Sequence, residues 1–203
     1  MLKFSSTQQI LLLILTLITN KLMKETFSKK KISELGKIIT GKTPETKVEK
    51  YYNKKTLPFI TPTDYSNASR FIESTRFLSE DAKKDFASIL IPKDSIMVTC
   101  IGSDMGKVAI SARECITNQQ INSIIPNQNI VDSDYLYYFF LRNTALLKRL
   151  GEGSGSTMPI INKTSFGNIE ISLPPLSEQK RISSILSSFD NKIEQLKKEN
   201  NIL

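Results

Sequence analysis

The most constraining passage of this 203-residue chain runs from Gly153 to Asp190, where several local instructions follow one another. After a Gly/Ser stretch (Gly153 to Thr157), Ile169, Glu170, Ile171, Ser172 and Leu173 alternate as a strand does. Pro174 and Pro175 stop that strand, because proline offers no amide to a ladder. Ser177 stands as a helix cap, with Glu178 in the first turn where the helix dipole favours negative charge. The helix then carries Ile182, Leu186, Phe189, Ile193, Leu196, Asn200 and Leu203 at alternating steps of four and three residues, a heptad seam. Asn200 occupies a seam position, where a buried polar group fixes register. Two readings stay open: an amphipathic helix folded onto its own domain, or one that leaves the body and pairs. No cap closes the seam, and pairing is the expectation.

The length accommodates one domain of ordinary size and an extension. Lysine and arginine number 28 against 20 aspartates and glutamates, so the chain carries a formal charge of +8 and suits a polyanionic partner. It contains no histidine, which removes the commonest general base and the commonest metal ligand. Cys100 and Cys115 have no metal-binding spacing, as expected of thiols in a reducing, cytoplasmic compartment. Ile10 to Ile18 is almost wholly apolar yet too short to span a bilayer, and small residues for signal cleavage do not follow it.

Further along, Gly36 to Thr43 formally matches the phosphate-loop pattern GxxxxGK[ST]. Bulky Ile38 and Ile39, the weak strand before it and Pro44 after it all argue that the match is fortuitous. Leu57 to Asp64 reads as a short strand ending in a turn, and Glu73 to Phe77 as a second strand. Ser79 caps a short helix. Ser95 to Ile101 gives the strongest strand signal; it breaks at Gly102-Ser-Asp-Met-Gly-Lys107 and resumes at Val108, a hairpin with a polar tip. That tip suits either a phosphate held on backbone amides or a plain turn. Thr117 to Asn122 is a dense amide run, equally suited to reading adenine or to bracing neighbouring turns. Asp132 or Ser133 caps a helix expected to run from Asp134 to Leu150 and close at Gly151, with Leu136, Phe139, Phe140, Ala145, Leu146 and Leu150 facing the core.

Several of these motifs, in this order, resemble the DNA-specificity subunit of type I restriction–modification systems. They are the Gly-Lys-Thr-Pro turn before Tyr51 and Tyr52, the Leu57–Asp64 segment (with Leu57 and Phe59 in place of isoleucine and tryptophan), the glycine hairpin and the Asn-Gln pair. The C-terminal run of Gly-Ser-Gly-Ser-Thr-Met-Pro, Ile-Asn-Lys-Thr-Ser-Phe and Pro-Pro-Leu-Ser-Glu-Gln-Lys-Arg-Ile is the most specific part. In that family each target-recognition domain ends this way and runs into a long spacer helix.

The resemblance implies an α+β chain in three parts: an N-terminal apolar or helical segment (1–28), one mixed α/β target-recognition domain (29–176), and a spacer helix (177–203) that pairs in a coiled coil. It implies double-stranded DNA and a methyltransferase (modification) subunit as partners, an ATP-dependent restriction subunit as a further one, and a homodimer or pairing with another half-subunit. Lys42, Ser103, Lys107, Ser154, Ser156 and Lys163 are the candidates near DNA. Thr61, Thr63, Gln119 and Gln120 are candidate readers, and Ile182, Leu186, Phe189, Ile193, Leu196 and Asn200 are the partner-helix residues. The chain has neither a methyltransferase cofactor turn with its Asn/Asp-Pro-Pro-aromatic loop nor an aspartate between Asp134 and Asp190 to complete a nuclease motif around Glu178 and Lys180. A non-catalytic subunit without a cofactor is the expectation. The contrasting readings are a coiled-coil interaction module and a silent recognition cassette.

Overall fold

A computed structural model describes residues 27–53, 55–67, 70–153 and 159–200. Four strands, β2 (Gly36–Thr40), β9 (Ile121–Pro126), β6 (Ile96–Thr99) and β7 (Val108–Ser111), lie side by side in that order, each antiparallel to its neighbour. β4 (Phe71–Ile72) adds a parallel edge to β7. Along these strands successive side chains enter two different cores, as strand geometry requires. Ile38, Ile96, Val98, Val108, Ile110 and Ile124 face one cluster, while Ile39, Met97, Ala109 and Ile121 face the other. A sheet covered on both faces explains why these segments read as apolar runs without polar alternation.

The first cluster is closed by α2 (Ser133–Arg142), α3 (Thr144–Glu152) and α4 (Lys163–Gly167). Phe140 and Phe166 stack within it, ring centroids 5.3 Å apart and planes 10° from parallel. On the opposite face, β3 (Leu57–Ile60) joins β5 (Phe77–Leu78) antiparallel and β8 (Ile116–Thr117) parallel. Ala82 of α1 (Glu80–Asp85) covers that small sheet, and the Ser79 side chain caps the helix as expected. β1 (Ser28–Lys31) and β10 (Glu170–Leu173) form a separate antiparallel pair, after which α5 (Leu176–Asn200) leaves the body. The mixed α/β body and its long terminal helix agree with the expected fold class.

Three local expectations are corrected. The helix predicted for 134–150 is two helices. At Asn143 the side-chain amide donates to the Phe139 carbonyl at 2.8 Å and competes with the backbone ladder, while Thr144 reaches the Gly106 carbonyl at 3.3 Å. The break resets the phase. Leu147 and Gly151 therefore face inward, while Ala145 is exposed and Leu150 is 43% exposed. No strand runs from Glu73 to Phe77: β4 and β5 lie in different sheets, and Ser74 turns the corner by donating to the Phe59 carbonyl at 2.8 Å. Ser177 is not the cap of α5. The helix starts at Leu176, with the Pro175 carbonyl accepting from the Glu178 and Gln179 amides at 2.9 and 3.0 Å. Proline is tolerated at such a start because an amide there has no helical partner to lose.

Gly36 to Thr40, the heart of the phosphate-loop match, is strand β2, and a Cβ on Gly36 would overlap the Ile125 carbonyl. That geometry leaves no phosphate cradle. The apolar run at 10–18 lies outside the described residues.

Candidate nucleic-acid interface

The turn from Asn118 to Gln120 connects β8 to β9, and three other loops converge on it. The buried Asn118 anchors the turn. Its amide donates to the Ile60 carbonyl at 3.0 Å, its Oδ1 receives the Gln120 amide at 3.1 Å, and its Nδ2 donates to Gln120 Oε1 at 2.8 Å. Gln119, exposed beside it, accepts from the Thr43 hydroxyl at 2.7 Å, which ties in the loop after β2. Gly41 lies so close to the Thr117 and Asn118 carbonyls that a side chain there would collide with both. Gln120 sends its carbonyl to the Cys100 amide at 2.7 Å, and its side-chain amide lies beside Gly102 at the start of the hairpin tip.

The amide run therefore divides its work. Asn118 and Asn122 hold the frame, with Asn122 taking the Thr40 hydroxyl at 2.6 Å and donating to the Ile161 carbonyl at 3.0 Å. Gln119 is left at the surface.

The hairpin tip is braced rather than free. Gly102 and Gly106 take φ values of 83° and 87°, a left-handed backbone that glycine adopts without strain. Met105 is buried against Gly151, Gly102 donates to the Pro159 carbonyl at 3.0 Å, and the Thr99 hydroxyl donates to the Asp104 carbonyl. Lys107 pairs with Asp104 at 2.6 Å, so the one lysine of the tip carries a local counter-charge; Ser103 is exposed. Beside the tip, the Ile161 amide donates to the Cys100 carbonyl at 2.8 Å, and Lys163 follows, exposed, as the first residue of α4. Ser154 and Ser156 lie outside the described residues.

On the other side of the turn, Thr61 is buried, with its hydroxyl directed at Asp64 and bound by Arg76. Thr63 is exposed and accepts from the Arg76 guanidinium at 2.9 Å, while Arg76 pairs with Asp64 at 3.1 Å. Lys42 projects over the Phe86 ring, Nζ 5.9 Å from the centroid. The structure thus brings Lys42, Thr43, Thr61, Gln119, Gln120 and the glycine tip around one turn, with Arg76 and Thr63 beyond Thr61. Sequence reasoning passed over Arg76 because a lone arginine between a threonine and a phenylalanine carries no pattern.

The helix α5 has two distinct faces. Its body side is polar: Gln179, 1% exposed, receives the Asp132 amide at 2.9 Å and donates to the Ile130 and Pro174 carbonyls at 3.1 and 2.9 Å. Ser183 is buried one turn on, and Asp190 accepts from the Tyr138 hydroxyl at 2.7 Å. The apolar seam points elsewhere. Ile182 is half-buried, Leu186, Ile193 and Leu196 are exposed, and Phe189 is 63% exposed. Ile185 and Asn200 are exposed as well. A soluble surface seldom leaves such a contiguous apolar stripe uncovered.

Among the described residues no group of acidic or thiol side chains is arranged to hold a metal ion, and no helix is long and apolar enough to cross a membrane.

Known proteins share this fold. The family model for the type I restriction modification DNA specificity domain matches residues 24–203. The MjaIX specificity subunit of Methanocaldococcus jannaschii is 36% identical over 176 residues, covering 86% of this chain and 40% of that protein. The HindI specificity subunit of Haemophilus influenzae is 33% identical over 172 residues, covering 81% and 37%. In fold, the chain is similar to a type I restriction–modification S subunit from M. genitalium (TM-score 0.65, 17% identity, 88% of this chain and 42% of that one). It is similar also to an HsdS subunit from Thermoanaerobacter tengcongensis (TM-score 0.60, 17% identity, 91% and 45%). The chain belongs to the type I restriction–modification DNA-specificity family. It spans about two fifths of the length of the curated relatives it matches.

Proposed function

We propose that the chain is a single recognition half of such a specificity subunit: it reads one part of a split DNA site and catalyses nothing itself. The loop cluster around Asn118–Gln120 faces DNA, with Lys42, Arg76 and Lys163 meeting phosphates and Gln119 and Thr63 meeting base edges. The helix α5 joins a second recognition half, a copy of this chain or a different half-subunit, and seats a methyltransferase (modification) subunit. An ATP-dependent restriction subunit completes the assembly, in the cytoplasm.

The observation that carries this reading is the outward apolar seam of α5. A helix that only closed its own domain would turn Phe189 and Ile193 inward; this one docks through Gln179, Ser183 and Asp190 and leaves the seam for another surface. On this reading the body spans about residues 29–176 and the spacer about 177–203.

The test is co-expression with candidate modification subunits, followed by sequencing of methylated adenines. A new bipartite motif with symmetric halves supports the function and the homodimer, and an asymmetric motif supports mixed pairing. A complex that leaves DNA unmethylated favours a silent cassette, and no complex favours an unrelated coiled-coil adaptor.

A further inference from the structure

A cluster of charged and phenolic groups that the recognition loops do not use lies between the sheet and α5. Arg70, just before β4, is 12% exposed in its side chain, and its Nε lies 3.5 Å from Asp134 Oδ1 on α2. Neither Nε nor Nη1 of Arg70, nor that carboxylate oxygen, has a hydrogen-bond partner, so the pair is held by charge and burial. A guanidinium so covered is stable only with negative charge around it. The second carboxylate is Asp190 of α5, bound by the Tyr138 hydroxyl at 2.7 Å. Arg70 is placed beside that hydroxyl by its pairing with Asp134, which precedes Tyr138 by one turn of α2. Burial pushes the Tyr138 hydroxyl up, the bond to Asp190 adds to the rise, and Arg70 opposes it. Three elements thus meet at one hydroxyl. Arg70 comes from the segment that follows the Thr61–Thr63 turn, Tyr138 from α2, and Asp190 from the helix.

Asp190 is the last residue of α5 that hydrogen-bonds to the body among the described residues; farther on, the hydrogen bonds of α5 stay within the helix. Gln179 is the first such anchor. The two hydrogen-bonding anchors lie about 16 Å apart, and buried Ser183 sits one turn from the first, so without Asp190 the rod is held only at its base. Pivoting at Gln179, a tilt of about 6° would move the Asn200 end by about 3.4 Å, one base-pair step of DNA.

We infer that Tyr138, Asp190 and Arg70 form a positioning joint that sets the angle at which α5 leaves the recognition body, and through it the spacing between two half-sites. The spacing part rests on the reading of α5 as a spacer; the joint itself does not. Tyr138 and Asp190 are positioning residues: they touch no DNA and act through the helix.

The test labels the full chain with nitroxides at Glu49→Cys and Lys197→Cys, both exposed positions, and dilutes it with unlabelled protein so that only distances within one chain are read. Cys100 and Cys115 are buried and stay unlabelled. The parent gives one narrow distance distribution. Tyr138→Phe, which keeps the ring, and Asp190→Asn, which keeps an acceptor and removes the charge, each broaden it at least twofold while circular dichroism is unchanged. Superimposable distributions in both variants overturn the joint. Should Tyr138→Phe fail to fold, Asp190→Asn, on the surface of the helix, decides alone. In the methylation assay the variants keep the bases of each half-site and admit spacings one base pair longer or shorter. A fixed single spacing in variants whose distance distribution has broadened overturns the link to spacing. No methylation by the parent would sink the proposed function instead, leaving the distance result to judge the joint.

Discussion

The Thr43 hydroxyl donates to Gln119 Oε1 over 2.7 Å, joining side chains 76 positions apart. The bond fixes the glutamine oxygen and thereby orients its amide nitrogen, so a surface residue that would otherwise sample several rotamers is pre-set for a partner. Gln119→Ala is expected to weaken binding to the half-site by about 1–3 kcal/mol and to relax discrimination at one base. Thr43→Ala should weaken it less, by loosening without removing the amide. Lys42→Ala should leave base preference intact and lower the slope of log affinity against log salt by about one. Fluorescence anisotropy across a salt series separates these outcomes.

Arg76 binds both threonines and the Asp64 carboxylate, whose side chain is almost fully buried. Arg76→Ala removes that counter-charge and is expected to cost about 1–3 kcal/mol of stability as well as DNA affinity. Arg76→Lys keeps the charge and loses the planar Nη2 that meets Thr61, Thr63 and Asp64 together. It should recover most of the stability and little of the specificity, as read by urea denaturation beside the binding titration.

Gln179 satisfies three backbone groups at once. Gln179→Ala leaves the Asp132 amide and the Ile130 and Pro174 carbonyls without this partner, and is expected to destabilise the protein by about 3 kcal/mol. A lower urea midpoint at unchanged slope would check it.

Substitution on the seam should behave in the opposite way. Phe189→Asp and Ile193→Asp place charge on exposed positions, so the body should melt as before while helix pairing is lost. Sedimentation velocity on the variants and the parent reads the change.

Burial pushes the thiols of Cys100 and Cys115 up to about 12. At pH 8 both remain protonated, and a thiol reagent should modify neither in the native protein and both after denaturation. Rapid native reaction of either would contradict its burial.

Much of the frame was legible. β6, β7 and their glycine break follow from an apolar run interrupted by Gly102 and Gly106, and the turn into α5 follows from two prolines. What the sequence hid was tertiary. Asn143 breaks a continuous helical pattern because Thr144 is drawn to the hairpin tip, and no periodicity encodes that contact. Of four neighbouring amides, Asn118 is buried and Gln119 exposed, a division set by the partners of β8 and β9 and invisible in the run itself. The seam of α5 was readable from spacing. Its polar docking side was not, because hydropathy treats Gln179 and Ser183 as solvent-facing, whereas three backbone groups claim Gln179.

Ser28 of β1 stands opposite Leu173 of β10. The polypeptide therefore enters the body and leaves it through the same doorway, with nearly everything that shapes the loops proposed to face DNA enclosed between. A unit with adjoining ends can be copied in tandem, exchanged between genes by recombination, or spliced into a longer helix without rethreading any strand. If the proposed function holds, new target preferences can arise by transplanting a whole module, while the helical framework that receives it stays as it was.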